Sequence, residues 1–292
     1  MSVVETGRPT TPQEDADWST SQVVLTNLRA IGGRAYPRIT GLMREKSWVF
    51  FEILLPLLAT SAFVFVYRAL QAPAQYIGFV VIGGAMVAFW LNVIWMMASQ
   101  PWWEKSQGNL ELYFAAPMSI MSVLFGMAVG GMVMSSSRAV VVLAVASVVY
   151  DVQFAVDQWA LLLAVFFLTL AALYGLGMML ASLFVMWGRE AFHLTQLLTE
   201  PIYFVSGLNF PVARLGILGS LALGTIPLAV GLDAMRQLAF ATAAFPVGTP
   251  EPAVEALILV AMTIVFLGAS RLMLATMERL ARKEGRLSVR WQ

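Results

Sequence analysis

"WALLLAVFFLTLAALYGLGMMLASLFVMW", residues 159–187, is a run of 29 residues without one charged side chain. A helix needs about 20 apolar residues to cross the hydrocarbon of a bilayer. The region 191–231 is also apolar but is broken at Gly207 and Pro211. It predicts either two spans, or one span followed by a re-entrant or interfacial segment. Four further runs reach the length of a span, at about 48–67, 76–98, 119–149 and 253–275.

The composition is that of an integral membrane protein. Of the 292 residues, 59% are hydrophobic and only 12% are charged, whereas a soluble domain carries about 25% charged residues. The chain has no cysteine, which excludes disulfides and thiolate metal sites, and its one histidine, His193, argues against a zinc or haem centre. Because the basic residues lie at the ends of the apolar runs rather than in one patch, the sequence predicts no nucleic-acid binding.

The basic residues predict how the spans are oriented. With six spans and a cytoplasmic N-terminus, thirteen of the 18 lysines and arginines lie on the cytoplasmic side, as the positive-inside rule requires. A seven-span arrangement would export the basic segment 279–292. The sequence therefore favours six spans in the plasma (inner) membrane with both termini cytoplasmic. The segment 209–236 then lies on the outer side, and its apolar character predicts re-entrant helices shielded by protein.

The polar segments complete the predicted organisation. Residues 1–20 lack an apolar core, so they are predicted to be a disordered cytoplasmic leader rather than a signal peptide. Residues 21–278 form the membrane domain, with a cytoplasmic loop at 101–117, and 279–292 form a basic cytoplasmic tail.

Residues 21–46 mix apolar side chains with spaced arginines and are interrupted by Gly32-Gly33 and Pro37. The interruptions argue against a membrane span, and the pattern predicts an amphipathic helix lying in the cytoplasmic interface. The alternative is an ordinary basic flank that only orients the first span.

Three of the charged residues within or near the predicted spans carry specific expectations. Glu200 lies about nine residues into the fifth span and is expected to face the bundle interior or a polar cavity, which makes it a candidate residue of the translocation path. Arg138 lies much further along the third span, too far from Glu200 for an ion pair, so it is expected to snorkel to the outer interface. Glu52 is expected at the interface. Gly126 and Gly130 form a small-xxx-small face that permits close approach of another helix.

The sequence argues against an enzyme. Its only lysines are Lys46, Lys105 and Lys283, and none follows a glycine, so the sequence contains no Gly-Lys-Ser/Thr nucleotide-binding loop. The loop carboxylates are dispersed and have no partner histidine or metal-binding spacing. These are Asp151, Asp157, Asp233 and Glu251.

The stretch "WEKSQGNLELYFAAPMS" resembles a motif of type-2 ABC exporter permeases, in which an acid and a Gly-x-Leu-Glu unit precede Pro-x-Ser at the start of span three. Asn109 stands where that family often has threonine. By this resemblance, the loop is expected to contact an ATPase through Trp103, Glu104, Lys105, Gly108, Leu110, Glu111, Pro117 and Ser119.

A second stretch, "PIYFVSGLNFPVARLGILGSLALGTIPLAVGLDAMRQLAF", is similar to the signature before the last span in the same family. The family forms outer re-entrant helices there. This chain has Leu215-Gly216 where Leu-Pro is common. The matching positions are Ser206, Gly207, Phe210, Pro211, Pro227, Asp233 and Arg236.

The resemblance implies an all-α, integral membrane fold and a role as the permease subunit of an exporter for drugs or lipo-oligosaccharide-like substrates. It implies a homodimer or heterodimer of permease subunits in the lipid bilayer, driven by two copies of a separate ATPase. ATP and Mg would bind to that ATPase, and this chain would bind no cofactor. Two alternatives stay open: an ion-coupled carrier that uses Glu200, and a membrane protein that transports nothing.

Overall fold

The computed structural model describes residues 19–240 and 250–283, and these residues form helices joined by short connections. A π-helical segment, Asn92–Ala98, follows the third helix, and short 3₁₀ turns occur at Gly188–Glu190 and Val212–Leu215. The helices are α1 (Thr20–Arg44), α2 (Lys46–Ala69), α3 (Ala74–Leu91), α4 (Gln100–Ser106), α5 (Asn109–Ala115), α6 (Ile120–Tyr150), α7 (Trp159–Trp187), α8 (Ala191–Val205), α9 (Ile217–Thr225), α10 (Pro227–Ala239) and α11 (Pro252–Lys283).

The five long apolar runs are all helical, as predicted. Within residues 19–240 and 250–283, the helices that are long and apolar enough to cross a membrane are Lys46–Ala69, Ala74–Ser106, Ile120–Tyr150, Trp159–Val185 and Pro252–Met277.

The predicted fifth span is α8, which has 15 residues and is shorter than the roughly 20 residues that a perpendicular crossing needs. The six-span arrangement therefore stays a prediction.

The segment between α8 and α11 contains two apolar helices that meet at a sharp bend. α9 and α10 are inclined by 101° to each other, and the bend occurs where Ile226 adopts an extended conformation before Pro227, the first residue of α10. Proline suits the first turn of a helix because its missing N–H has no partner there. By length and composition, the pair is either a re-entrant loop or one broken span.

α3 is the most deeply enclosed of the candidate spans, with Phe89 and Trp90 fully buried. Two adjacent glycines allow its neighbours to approach closely. A Cβ on Gly83 would overlap the carbonyl oxygen of Leu208, and one on Gly84 would overlap the hydroxyl of Thr60 in α2. The two glycines thus set the distance between α3 and two other parts of the chain.

The predicted close-packing face at Gly126 and Gly130 is confirmed, and the helix that approaches it is α1. Added Cβ atoms would lie 2.6 Å from the carbonyl oxygen of Ile31 and 3.1 Å from that of Ala35. α1 is one continuous helix, so the predicted interruption at Gly32-Gly33 and Pro37 is wrong. The physical reason is its packing along α6, which compensates for the poor helix propensity of these residues. Its position in the membrane interface stays a prediction.

Arg138 does not snorkel, and this expectation is corrected by the structure. Its side chain is buried and forms an ion pair with Glu52 of α2. α2 and α6 are neighbours, so the two charges meet at the same depth. The sequence does not show which helices are adjacent, and the comparison of Arg138 with Glu200 therefore tested the wrong partner.

Candidate functional site

A buried carboxylate, Glu104, lies in the predicted cytoplasmic loop. Only 3% of the residue is exposed. It forms an ion pair with Arg34 of α1 through Oε1, and Gln100 Nε2 donates to the same oxygen at 2.7 Å. Asn109 Nδ2 and Tyr113 Oη both donate to Oε2 at 3.1 Å. We call these five residues the Glu104 cluster.

The Glu104 cluster joins three helices. Arg34 belongs to α1, Gln100 and Glu104 to α4, and Asn109 and Tyr113 to α5. A buried charge is costly unless it is paired and hydrogen-bonded, and here both carboxylate oxygens have two partners. Burial also raises the pKa of the Tyr113 phenol, which keeps its O–H available as a donor. The cluster therefore holds α4 and α5 in a defined position against α1.

Arg38, one turn after Arg34 in α1, adds a second contact between α1 and the cluster. Its Nη1 donates to Gln100 Oε1 at 3.4 Å, so Gln100 connects Arg38 with Glu104. Burial lowers the pKa of Arg38 to about 10, and the guanidinium therefore stays cationic at neutral pH.

The turn between α4 and α5 requires a glycine. Gly108 has φ of +78°, a left-handed conformation that side chains with a Cβ adopt only at a cost. Its N–H bonds to the carbonyl oxygen of Lys105 at 3.0 Å, in the last turn of α4. The turn places Asn109 and Tyr113 on the same carboxylate that α4 carries.

The surface of this loop differs from the expected one. Glu104 and Leu110 were expected to contact the ATPase, but both are buried, so this expectation is corrected for these two side chains. Glu104 instead holds α4 and α5 in place through its four partners. Trp103 and Leu112 are exposed and remain available to a partner. Glu111 lies in α5, and its side chain is outside the described part of the structure.

Pro117 and Ser119 lie between α5 and α6, and both are exposed. The backbone N–H of Ser119 donates to Asn27 Oδ1 at 2.9 Å, and the hydroxyl of Ser122 donates to the same oxygen at 2.9 Å. Asn27 of α1 therefore supplies the acceptor for the start of α6.

The second predicted set of residues surrounds Arg236 of α10, which is 1% exposed. Its guanidinium donates to four backbone carbonyl oxygens, of Gly207 at 2.7 Å, Phe79 at 2.8 Å, Leu208 at 2.9 Å and Phe210 at 3.3 Å. We call this arrangement the Arg236 cluster. It fixes the chain after α8 to both α3 and α10.

The other residues of the second motif shape this connection. Ser206 donates to the carbonyl oxygen of Tyr203 at 3.2 Å at the end of α8. Gly207 has φ of +69°, and an added Cβ would lie 2.6 Å from a methyl carbon of Val212. The rings of Phe210 and Phe204 lie 5.6 Å apart, and Pro211 immediately precedes the 3₁₀ turn.

Asp233 is buried one turn before Gln237 in α10. Gln237 Nε2 lies 3.0 Å from Asp233 Oδ2, 3.2 Å from Glu255 Oε2 and 3.0 Å from the carbonyl oxygen of Pro250. The amide thereby links α10 to the start of α11.

The two clusters lie at opposite ends of one apolar helical unit. Phe79 and Glu104 both belong to Ala74–Ser106, and at 1.5 Å per residue they are about 38 Å apart along the axis. The sequence-predicted positions thus form two separate groups.

A family model described as ABC-2 type transporter matches residues 38–240. This chain belongs to the ABC-2 type transporter family. It is therefore a membrane transport subunit, of a kind that works with a partner ATPase. No curated protein sequence matched the chain. In this permease, the matched region includes α4, α5 and all of α10, whereas Arg34 and Glu255 lie outside it.

Glu200 of the ABC-2 permease is exposed on α8. The expectation that it faces the interior of this chain's bundle is wrong, because the buried side of α8 is formed by Ala191, Thr195 and Thr199. A role of Glu200 in the translocation path stays a prediction.

Sequence reasoning missed several residues in the Glu104 cluster of the permease and in the contacts of Ser119 and Asp233. The four-residue spacing of Asn27, Ile31 and Ala35 was a usable signal for α1, since it forms one helix face. Gln100 and Gln237 lie four residues from Glu104 and Asp233 on the same helices, and this spacing was a usable local signal. Nothing local in the sequence identifies Arg34 or Glu255. These missed residues are Asn27, Arg34, Gln100, Tyr113, Gln237 and Glu255.

Proposed function

We propose that this permease is the membrane-spanning subunit of an ATP-driven exporter that moves an amphipathic or lipid-like substrate, such as a drug, lipid or glycolipid, outward. The sequence has no Gly-Lys-Ser/Thr motif, so the proposed source of energy is a separate ATPase that binds ATP and Mg. The proposal places two ATPase copies beneath a homodimer or heterodimer of permease subunits in the inner membrane. Both termini are cytoplasmic in this arrangement.

The Glu104 cluster is the observation that carries the proposal. The Arg34–Glu104 ion pair ties α4 to α1, and Asn109 and Tyr113 of α5 donate to the same carboxylate, so the short element formed by α4 and α5 is joined to α1 through Glu104. α1 in turn packs along α6 and holds the start of that helix through Asn27. A push on the loop by an ATPase would thus reach α1 and α6 directly.

A second connection leads from the loop through the length of the membrane domain. α4 follows α3 and its π-helical segment as part of one apolar unit, Ala74–Ser106. π-helical segments are frequent at functional sites. Tyr174 of α7 donates to Asn92, the first residue of the π-helical segment, at 3.1 Å. Movement of α4 would therefore act on α3 and on its outer neighbours.

The exposed side chains of α4 and α5 are the proposed contact with the ATPase. Leu112 is 66% exposed, and burial of such a side chain at an interface is favourable. Leu112→Ala is expected to weaken ATPase binding about tenfold. Leu257→Ala is the matched control, because Leu257 is 70% exposed on α11. It should leave ATPase binding unchanged.

The test is reconstitution of the permease with its ATPase in liposomes, with measurement of ATP hydrolysis and of substrate movement. Outward transport should require both chains, and Leu112→Ala should lower it while Leu257→Ala does not. Transport by the permease alone along an ion gradient would overturn the proposal. No feature of the described residues favours the ion-coupled carrier, since Glu200 is exposed.

A further inference from the structure

A lateral pocket of about 490 Å³ lies between α3, α6, α7 and α10. Its lining repeats at helical spacing on each wall, for example at Ser136, Ala139, Val140 and Leu143 of α6. Among the side chains that line the pocket, only those of Ser136, with its hydroxyl, and Trp159, with its indole, carry an O–H or N–H group. The pocket therefore suits a ligand without hydrogen-bonding groups.

The pocket has a buried floor and an exposed rim. Met86 and Met235 in the floor are 3% and 5% exposed. Val140, Leu163 and Phe167 at the rim are exposed on the sides of α6 and α7. Because both helices are candidate membrane spans, the opening faces the hydrocarbon of the bilayer and not water.

The pocket has a length and a position that fit within one leaflet of the bilayer. Its α7 wall extends from Trp159 to Phe167, about 12 Å along the helix axis, whereas one leaflet contributes about 15 Å of hydrocarbon. Trp159 begins α7 after the connection 151–158, which lies on the outer side in the predicted topology. Tryptophan is enriched at the level of the lipid headgroups.

The volume suits a long alkyl chain. A dry apolar cavity of about 150 Å³ is large enough to hold the six carbons of benzene. By the same ratio, 490 Å³ accommodates roughly 20 carbons, which is enough for a common fatty acyl chain.

We propose that the lateral pocket binds one acyl chain of an outer-leaflet bilayer lipid. The chain enters between α6 and α7, with the lipid headgroup near Trp159, and its methylene groups contact Met86 and Met235. This assignment goes beyond the proposed export function, and it requires neither an ATPase nor a transported substrate.

The proposed lipid chain would support the outer re-entrant segment. Met235 and Ala239 of α10 line the pocket, and Met235 directly precedes Arg236. The lipid would fill the space behind this part of α10, where an empty apolar cavity would forfeit packing contacts.

The test uses the full-length chain in nanodiscs of palmitoyl-oleoyl phosphatidylcholine. These contain a phosphatidylcholine analogue with a diazirine at the end of one acyl chain. After irradiation, adducts are mapped by mass spectrometry. Adducts at Met86 or Met235 are expected, because these side chains become accessible to lipid only through the pocket. Their absence, with labelling confined to exposed residues such as Leu55 of α2, would overturn the proposal.

Ala139→Trp should fill the pocket and remove floor labelling, while labelling of Leu55 persists. Val145→Trp is the matched control on an exposed part of the same helix, and it should leave floor labelling unchanged. Ala85→Trp fills the pocket from α3 and replaces Ala139→Trp if that variant does not fold. Unchanged floor labelling in a folded, pocket-filling variant would overturn the proposal.

A second copy of the chain is the alternative occupant of the opening. Since the chain has no cysteine, Val140→Cys introduces a single thiol at the rim. A monomeric product under oxidation is expected in nanodiscs that hold two copies. A disulfide-linked dimer would overturn the lipid assignment.

Discussion

The carboxylate of Glu104 and the guanidinium of Arg236 are both buried, but different kinds of partner hold them. Glu104 is held by four side chains from three helices. Arg236 is held by four backbone carbonyls. The first arrangement depends on the identity of every partner and can change when any of those side chains moves. The second depends on where the backbone carbonyl oxygens lie and not on the identity of other side chains.

This difference suggests different tasks at the two ends of the permease. A side-chain network between α1, α4 and α5 suits a part that must transmit movement, because its bonds can break singly. A guanidinium that binds several carbonyls suits a fixed point, because those oxygens lie in one short connection and in α3. We expect substitutions in the Arg236 cluster to affect stability more, and those in the Glu104 cluster to affect activity more.

The largest effect is expected for Arg236→Met. It leaves buried carbonyls without their donor, and the loss should be about 4 kcal/mol of stability. Thermal unfolding in detergent measures it. Arg214→Met, at an exposed arginine in the same segment between α8 and α11, is the control and should change stability little. A variant at Arg236 as stable as the control would show that the carbonyl contacts do not anchor this segment.

A smaller loss of stability, about 2–3 kcal/mol, is expected for Glu104→Ala, because Arg34 remains partly exposed and can be hydrated. Glu104→Ala should also lower ATP-dependent transport more than ATP hydrolysis. The double variant with Arg34→Ala should recover part of the stability loss, since no unpaired charge then remains. Strict additivity of the two single variants would contradict a direct Arg34–Glu104 interaction.

The smallest effect, about 1 kcal/mol, is expected for Asn27→Ala, which removes the acceptor of two hydrogen bonds at the start of α6. Asn27→Asp keeps an acceptor oxygen and should behave like the unmodified protein. Thermal unfolding of the two variants side by side measures the contribution. Equal losses in both would show that the Asn27 contact does not depend on its acceptor.

Much of the fold could be predicted because an apolar run long enough to cross the hydrocarbon can be recognised from consecutive residues alone. The runs around α2, α3, α6, α7 and α11 are all helices, and the bend before Pro227 falls inside the predicted re-entrant segment. α8 was harder to interpret, since its 15 residues include a proline and a charged residue. An interruption at Pro37 of α1 was predicted because proline is unfavourable inside a helix. The packing of α1 on α6 outweighs that unfavourable helix propensity.

Only some properties of the candidate site could be predicted from the sequence. Glu104 and Arg236 were identified by their motifs, but the motif suggested that Glu104 meets a partner protein, whereas it is buried against Arg34. Leu110 is buried as well, although the motif suggested that it meets a partner protein. Linear sequence places a residue on an element, but it does not reveal which side of that element is covered.

By itself, the sequence determined the class of protein, the long apolar helices and the positions of the two motifs, because each depends on residues close together in the chain. Only the tertiary structure decided which partner each buried charge meets. Arg34 and Glu104 are 70 residues apart, and Phe79 and Arg236 are 157 residues apart. Such pairs are selected by which helices become neighbours, and a buried charge is stable only where that arrangement supplies its partners.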